Sequence, residues 1–200
     1  LNTLQYEYIR LKNLSGEVNG NKTVDDVELE SKKRIAEWSD TIGANDLHRV
    51  LVELDVSDFL TTNYDYALED ALSENDYKFD ETKSCHDEEK FNLRRYNYLT
   101  KDDDVKKIWH IHGDKKHPAS ILVGFNHYCG TVGKIDSYLK MGYEVTDKPE
   151  IEGREPFIIK GGYEKRFPEC DVNDAKLWIP LFFTANIHII GLSMDDAEAD

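Results

Sequence analysis

The stretch Phe59–Asp65 limits the fold more than any other part of the sequence. Its first residues are apolar or β-branched, Asn63 and Asp65 form a polar break, and the run to Leu72 then has apolar residues at helical spacing. This pattern predicts a strand, a tight turn and a helix. In an open α/β sheet, ligands bind at the carboxyl ends of strands, and the next helix offers unpaired backbone N–H groups. In the alternative, Asp65 is only the helix N-cap and Asn63 only a turn residue.

Two later stretches have the same form. Val105–Asp114 predicts a second strand that ends in a polar cluster, and Asn186–Asp196 predicts a third. Strand ends of this kind converge at one edge of a parallel sheet, where ligands bind. We therefore predict an α/β fold with a Rossmann-like parallel sheet flanked by helices, and with a helical and irregular insertion.

The remaining elements follow from apolar spacing and turn residues. Helices are predicted over residues 1–14, 23–38, 45–54, 127–139 and 173–181, and strands over 77–79, 121–123, 157–159 and 187–190. The strand over 187–190 is expected to close the sheet. Residues 80–104 are mostly polar and predict a loop that packs on the sheet edge. Residues 141–172 are interpreted as an insertion.

The order of three short motifs resembles a known family. Thr-Thr-Asn-Tyr-Asp at 61–65, His-Gly-Asp at 112–114 and Ile-Ile-Gly-Leu-Ser-Met-Asp-Asp at 189–196 resemble the sirtuin-like NAD-hydrolase domains of bacterial anti-phage defence proteins. These domains are relatives of sirtuin deacylases that lack the zinc ribbon. The resemblance covers residues 46–200 with gaps. It implies a NAD glycohydrolase that cleaves NAD to nicotinamide and ADP-ribose and depletes NAD during infection, with NAD as substrate and no metal.

The resemblance also implies roles for individual residues. His112 would be the catalytic histidine, and Asn63 and Asp65 would hold the nicotinamide ribose and the attacking water. Asp114 would orient the His112 imidazole or simply cap the next turn. Gly191 and Ser193 would contact the adenosine side of NAD. The set of residues assigned to NAD binding is Thr62, Gly113, Asp114, Gly191, Ser193 and Asp195.

The family has a glycine-rich Gly-Ala-Gly-x-Ser loop near its N-terminus, and this loop is not found in the sequence. Leu14–Gly20 contains glycines but has neither that spacing nor a preceding apolar strand. We interpret residues 1–200 as a single sirtuin-like domain. The sequence leaves open whether it is a fragment without the first strand and loop or a diverged member that lost them.

Cleavage of the nicotinamide–ribose bond passes through an oxocarbenium-like state. Such a reaction needs charge stabilisation, a placed water and one base. Histidine suits the base because its unperturbed pKa lies near ~6.5. The structural alternative for His112 is a histidine whose hydrogen bonds are satisfied at a strand end.

Two other functions compete with this hypothesis. The H-x-H-x-D pattern of His110, His112 and Asp114 resembles the metal-binding motif of metallo-β-lactamase-like hydrolases, but that motif needs a histidine directly after the aspartate, and position 115 is lysine. A non-enzymatic module that senses NAD or ADP-ribose would share Gly191 and Ser193 with the enzyme and would not need His112.

Composition excludes several classes of protein. The net charge is −15, with 40 acidic and 25 basic residues, which argues against nucleic-acid binding because phosphate contacts need clustered Lys and Arg. Diphosphate binding must then rely on local donors, namely helix N-termini and the lysines that flank the His112 stretch: Lys106, Lys107, Lys115 and Lys116. In the alternative, these lysines only form a solvated strand edge. No apolar run approaches the ~20 residues of a membrane span. Three cysteines without C-x-x-C argue against a zinc ribbon and favour a cytoplasmic setting. We expect a homo-oligomer or a larger defence assembly.

Overall fold

The computed structural model describes residues 24–86, 91–141, 143–145, 157–159 and 177–191. The α-helices are α1 (Val24–Ser39), α2 (Asp46–Val52), α3 (Ala67–Glu74), α4 (Phe125–Met141) and α5 (Leu181–Thr184), and a 3₁₀ helix spans Pro118–Ser120. The strands are β1 (Asp58–Thr61), β2 (Lys78–Phe79), β3 (Tyr96–Lys101), β4 (Asp104–His110), β5 (Tyr143–Val145) and β6 (Phe157–Ile159).

The main sheet has four strands in the order β1-β4-β3-β2. β1 and β4 are parallel, with Thr61 opposite His110 at their carboxyl ends. β3 pairs antiparallel with both β4 and β2. The predicted α/β, Rossmann-like class is confirmed, and the sheet is mixed, with its parallel pair where the first two motifs end. β5 and β6 form a separate antiparallel pair, which confirms the strand predicted over 157–159.

Apolar residues cover both faces of the main sheet. Successive strand residues point to opposite faces, so Ile108 and Trp109 lie in different clusters. One face packs against α2 and α3 through Val52, Ala71, Leu72, Leu99 and Ile108. The other contains Cys85, Tyr96 and Trp109 and packs against Trp178 and Leu181. This two-sided cover fixes the plane of the sheet and the positions of its strand ends.

Local signals explain the helices that flank the sheet. Asn45 caps α2, because its side chain accepts from the His48 backbone and the His48 side chain accepts from the Asn45 backbone. α1, α2 and α4 confirm three predicted helices. In α1, Val27 and Ala36 are the buried apolar residues, and Trp38 is 78% exposed.

The predicted third strand over 187–190 is wrong. Residues 185–191 have no helix or strand, and Ile187, Ile189 and Ile190 are 41%, 59% and 57% exposed. A β-branched run shows that a segment can form a strand, but a strand also needs a sheet edge that pairs with its backbone. The four strands of the main sheet do not include this segment.

Three other predictions also need correction. Residues 80–104 are not only a loop at the sheet edge, because β3 lies between β4 and β2. Ile121 and Leu122 are buried but form no strand. Of the last predicted helix, residues 177–180 are not helical, and a short helix begins at Leu181 after Pro180. The helix over 1–14, the glycines of 14–20, residues 173–176 and most of the insertion over 141–172 lie outside the described residues.

Within the described part of the chain, no helix is long and apolar enough to cross a bilayer.

Gly113 occupies a backbone position that a larger residue cannot adopt. Its φ is +94°, and an added Cβ would lie 2.3 Å from the Ser120 carbonyl oxygen. We predict that Gly113→Ala lowers the free energy of unfolding by at least ~2 kcal/mol. Gly133 in α4 has no atom within 4 Å of an added Cβ, so Gly133→Ala should raise it by about 0.5–1 kcal/mol. Urea denaturation measures both, and equal effects would contradict the prediction.

Candidate functional site

The loops that follow β1 and β4 run side by side. The Ile111 N–H donates to the Thr61 carbonyl at 3.1 Å, and the Lys115 N–H donates to the Tyr64 carbonyl at 2.8 Å. The parallel pairing of β1 and β4 therefore continues past both strand ends. It brings residues 62–65 and 112–114 to one edge of the sheet, as expected of a ligand site in an α/β fold.

His112 lies beyond the end of β4. The predicted strand was expected to run through His112, but β4 ends at His110, and the chain turns at the next two residues. The His112 carbonyl accepts from the Leu122 N–H at 2.9 Å, and its ring meets the Tyr128 ring edge-on at a centroid distance of 5.2 Å. Desolvation by burial lowers the pKa of His112. A neutral imidazole can accept a proton near pH 7.

Two tyrosines beside His112 were not identified from the sequence. The Tyr64 hydroxyl donates to the Leu122 carbonyl at 2.9 Å. Burial and the neighbouring Tyr128 raise the pKa of Tyr64 to about 12, so its phenol stays protonated. Tyr64 could have been identified from the sequence, because it lies inside the first motif. Tyr128 of α4 could not, because only the fold brings it to this edge. Tyr128 contacts the His112 ring, and Tyr64 bonds to Leu122, whose N–H donates to the His112 carbonyl.

Asn63 has a fixed backbone and an exposed side chain. Its N–H donates to Thr61 Oγ1 at 3.0 Å, and its carbonyl lies 3.3 Å from His110 Nδ1. Thr62 is also exposed. The Asn63 amide is therefore available to a ligand at this edge, in a position set by the main chain.

Asp65 accepts from the Ala67 N–H at 3.0 Å through Oδ1. Ala67 is the first residue of α3, and Tyr66 at the N-cap makes no side-chain capping bond. Asp65 thus satisfies one backbone donor of the first turn. It does so from the position before the N-cap, whereas the alternative expected Asp65 itself to be the N-cap. The assignment of Asp65 to ribose binding stays a prediction.

Asp114 is fully buried and anchors the second loop. Its carboxylate accepts from Tyr66 Oη at 2.9 Å, from Arg95 Nη1 at 2.8 Å and from the backbone N–H groups of Lys116 and His117. Burial alone would raise the pKa of Asp114, but the His117 hydrogen bond and the Arg95 charge outweigh it and hold that pKa well below its usual range. These contacts show the turn-capping role, and the assignment of Asp114 to NAD binding stays a prediction.

His110 is buried directly beneath the Asn63 loop. Its Nε2 lies 2.7 Å from Glu69 Oε1, and Asn97 Nδ2 donates to the same oxygen at 2.6 Å. Burial alone would lower the pKa of His110, but the charge and hydrogen bond of Glu69 raise it above its ordinary value. Sequence reasoning missed Glu69, because a glutamate on a helix is usually exposed.

The arrangement of His110 bears on the metal-hydrolase hypothesis. Both of its ring nitrogens already face protein oxygens, those of Glu69 and Asn63. Within the described ranges, no group of three or more His, Cys, Asp and Glu side chains could hold a metal ion.

The third motif contributes little to this edge in the described residues. Gly191 is exposed, has a φ of +77°, and has open space around an added Cβ. Ser193 and Asp195 lie outside the described residues. Their contacts with the adenosine side of NAD stay predictions.

The chain was matched against models of protein families by its sequence. Residues 57–147 match the SIR2-like domain. This range includes β1, α3, β4 and both loops at the candidate site, and it supports a sirtuin-like domain over this part of the chain. Neither the curated proteins nor the solved structures gave a match.

The buried charge of Asp114 predicts how the stability of the fold depends on pH. Because the folded pKa lies below the ordinary value of ~3.9, the carboxylate stabilises the fold above that value, and this contribution is lost as pH falls below it. Asp114→Asn leaves Arg95 buried without its counter-charge and should cost about 3–5 kcal/mol near pH 7. We expect the difference from the wild type to shrink below about pH 4.

Urea unfolding at a series of pH values measures this difference. The control is Asp46→Asn, which removes an exposed partner of Arg49 and should change stability little at any pH. A loss in Asp114→Asn that stays constant down to pH 2 would show that its charge is not responsible.

Proposed function

We propose that this chain is a NAD glycohydrolase domain that cleaves the bond between nicotinamide and ribose. The observation that supports it is the pair of adjacent loops after β1 and β4. They present an exposed Asn63 amide and a half-buried His112 of lowered pKa at one edge of the sheet. Both residues lie inside the range that matches the SIR2-like domain. The products would be nicotinamide and ADP-ribose.

His112 would act as the general base. When the C–N bond breaks, nicotinamide leaves with the bonding electron pair and positive charge develops on the ribose. A water oxygen then bonds to the ribose carbon, and its proton passes to His112. The base must be neutral before the reaction, and burial of the His112 ring favours the neutral form. The edge contact with Tyr128 holds the ring in place.

Asn63 would bind a ribose hydroxyl or the attacking water without adding charge. Its backbone is held from both sides, by Thr61 and by His110, so the amide is presented from a fixed position. Preorganised dipoles of this kind stabilise developing charge without reorganisation during the reaction. Asp65 Oδ1 caps α3, and the other lone pairs of the carboxylate can accept from a ribose hydroxyl.

Local cations beside the loops support binding of the NAD diphosphate. The Lys115 backbone bonds to Tyr64 in the first loop. The Lys115 ammonium lies 5.3 Å from the centroid of the Tyr66 ring, and that of Lys116 lies 4.9 Å from it. The Lys115 ammonium is paired with Asp40 at 2.9 Å, so exposed Lys116 supplies the positive charge that offsets the negative charge of the chain at this point.

We also propose that this activity serves anti-phage defence by depleting NAD, within a homo-oligomer or a larger assembly. The support is the sirtuin-like order of the motifs. Measurement of cellular NAD after phage infection, in cells with the wild-type protein or His112→Ala, tests it. Equal NAD levels in both would contradict the defence role.

His112→Ala should abolish nicotinamide release, because it removes the base, while NAD affinity stays within about tenfold. Asn63→Ala should act in the same way. The control is His48→Gln, which keeps a capping-box residue on α2, away from the site. Chromatographic assay of nicotinamide gives the rates and calorimetry the affinities. Wild-type rates in either variant would contradict the assignment. If the wild type and the variants bind NAD but none of them releases nicotinamide, the sensing module is favoured.

The lowered pKa of His112 predicts the acid side of the pH profile. A base of lowered pKa stays neutral, and therefore competent, to a lower pH than an exposed histidine with a pKa near ~6.5. We expect kcat to decline on the acid side only below that value. Stopped assays from pH 5 to 8 measure this limb. Circular dichroism checks that the protein is folded at each pH. A decline centred above pH 7 would show that His112 is not the base.

A further inference from the structure

A line of polar contacts connects α3 to the Asn63 loop through β4. Glu69 Oε1 lies 2.7 Å from His110 Nε2, and His110 Nδ1 lies 3.3 Å from the Asn63 carbonyl oxygen. Glu69 and His110 are 6% and 0% exposed. Three elements that are distant in sequence therefore meet at one imidazole ring.

Both contacts are hydrogen bonds if His110 carries a proton on each ring nitrogen. A carboxylate and a backbone carbonyl accept hydrogen bonds and cannot donate them, so each nitrogen must donate. The charged groups that act on the ring agree with this, since Glu69 of α3 and Asp114 of the loop after β4 both raise the pKa of His110. Arg95 is paired with Asp114. β3 contributes the neutral Asn97 amide, and the Tyr66 ring packs at 5.1 Å.

Loss of one proton would break the contact with Asn63 and keep the contact with Glu69. Asn97 donates to Glu69 Oε1 at 2.6 Å, so that oxygen stays an acceptor, and the ring keeps its remaining proton on Nε2. The bare Nδ1 lone pair would then face the Asn63 carbonyl, and two acceptors at that distance repel each other.

Resting on the proposed function, we propose that Glu69 and His110 form a positioning pair that holds the loop carrying Asn63 in its working geometry. His110 donates to the Asn63 carbonyl, and Glu69 keeps His110 in the doubly protonated form that makes this bond. The pair touches no substrate and acts through Asn63. A loop displaced by about 1 Å costs up to a hundredfold in rate, so the pair controls turnover from a buried position.

The test is the pH profile of NAD cleavage by Glu69→Gln. Glutamine keeps an oxygen in the position of Glu69 Oε1 but carries no negative charge. Without that charge, burial lowers the pKa of His110. We expect kcat at pH 8 to fall by about tenfold or more, with a smaller difference at pH 6, so the alkaline limb moves to lower pH. Glu74→Gln is the matched control, because it removes an exposed carboxylate of the same helix, paired with Arg49, and it should leave the profile unchanged.

A second variant covers the case in which Glu69→Gln fails to fold. His110→Phe keeps an aromatic ring in the buried position but has no donor for the Asn63 carbonyl. We expect a lower kcat at every pH. The pH profile should also lack the alkaline decline that titration of His110 produces in the wild type. A wild-type profile in a folded Glu69→Gln, or full activity in His110→Phe, would overturn the positioning role.

Nuclear magnetic resonance separates this inference from the proposed function. In uniformly ¹⁵N-labelled protein, the second His110 ring nitrogen should lose its proton at a lower pH in Glu69→Gln than in the wild type. The backbone amides of Asn63 and Tyr64 should shift at the pH at which His110 titrates. If neither the wild type nor any variant cleaves NAD, the proposed glycohydrolase activity is wrong. The chemical shifts then still test the positioning pair of Glu69 and His110. If the Asn63 and Tyr64 amide shifts do not change when His110 titrates, the positioning role of the pair is wrong.

Discussion

The ion pair between Arg95 and Asp114 holds the candidate site together. Both side chains are almost fully buried, at 1% and 0% exposure. Moving two charges out of water costs several kcal/mol each, on the order of what their attraction returns, unless hydrogen bonds satisfy the remaining groups. Asp114 meets this condition through Tyr66 and two backbone donors, and Arg95 through Asn92 and the His86 carbonyl. The loop that carries His112 is thereby tied to the start of β3.

The same balance between desolvation and hydrogen bonding applies to the buried polar layer below the site. α3 approaches the sheet with Glu69 as well as with apolar residues, and His110 and Asn97 face it from β4 and β3. A single buried carboxylate without these partners would destabilise the fold. Since Glu69 Oε2 has no hydrogen-bond partner among the described residues, the layer retains one unsatisfied atom directly beneath the Asn63 loop. Such atoms are uncommon in folded proteins.

The sequence predicted the fold where local signals carry it. The β1–turn–α3 unit, the capped helix α2 and the long helix α4 follow from apolar spacing and turn residues, which depend on neighbours in the chain. β3 was missed because Arg94, Arg95 and Asn97 look like loop residues. Arg95 and Asn97 are tolerated in the core only because Asp114, 19 residues away, and Glu69, 28 residues away, pair with them. The strand over 187–190 was predicted from β-branched residues, but pairing with a sheet edge is not a local property.

The candidate site was predictable to the same extent. The apolar runs before Asn63 and His112 placed both residues near strand ends, and their functional roles came from the resemblance of their motifs to sirtuin-like domains. Glu69, His110 and Tyr128 act through contacts that exist only after folding, and no spacing rule connects them to Asn63. The parallel register of β1 and β4 makes that connection, because it sets Thr61 opposite His110 and so places the Asn63 carbonyl above the His110 ring. A slip of one residue would turn His110 to the opposite face of the sheet, away from Glu69. The register therefore determines the chemistry of the edge as much as the identities of the residues do.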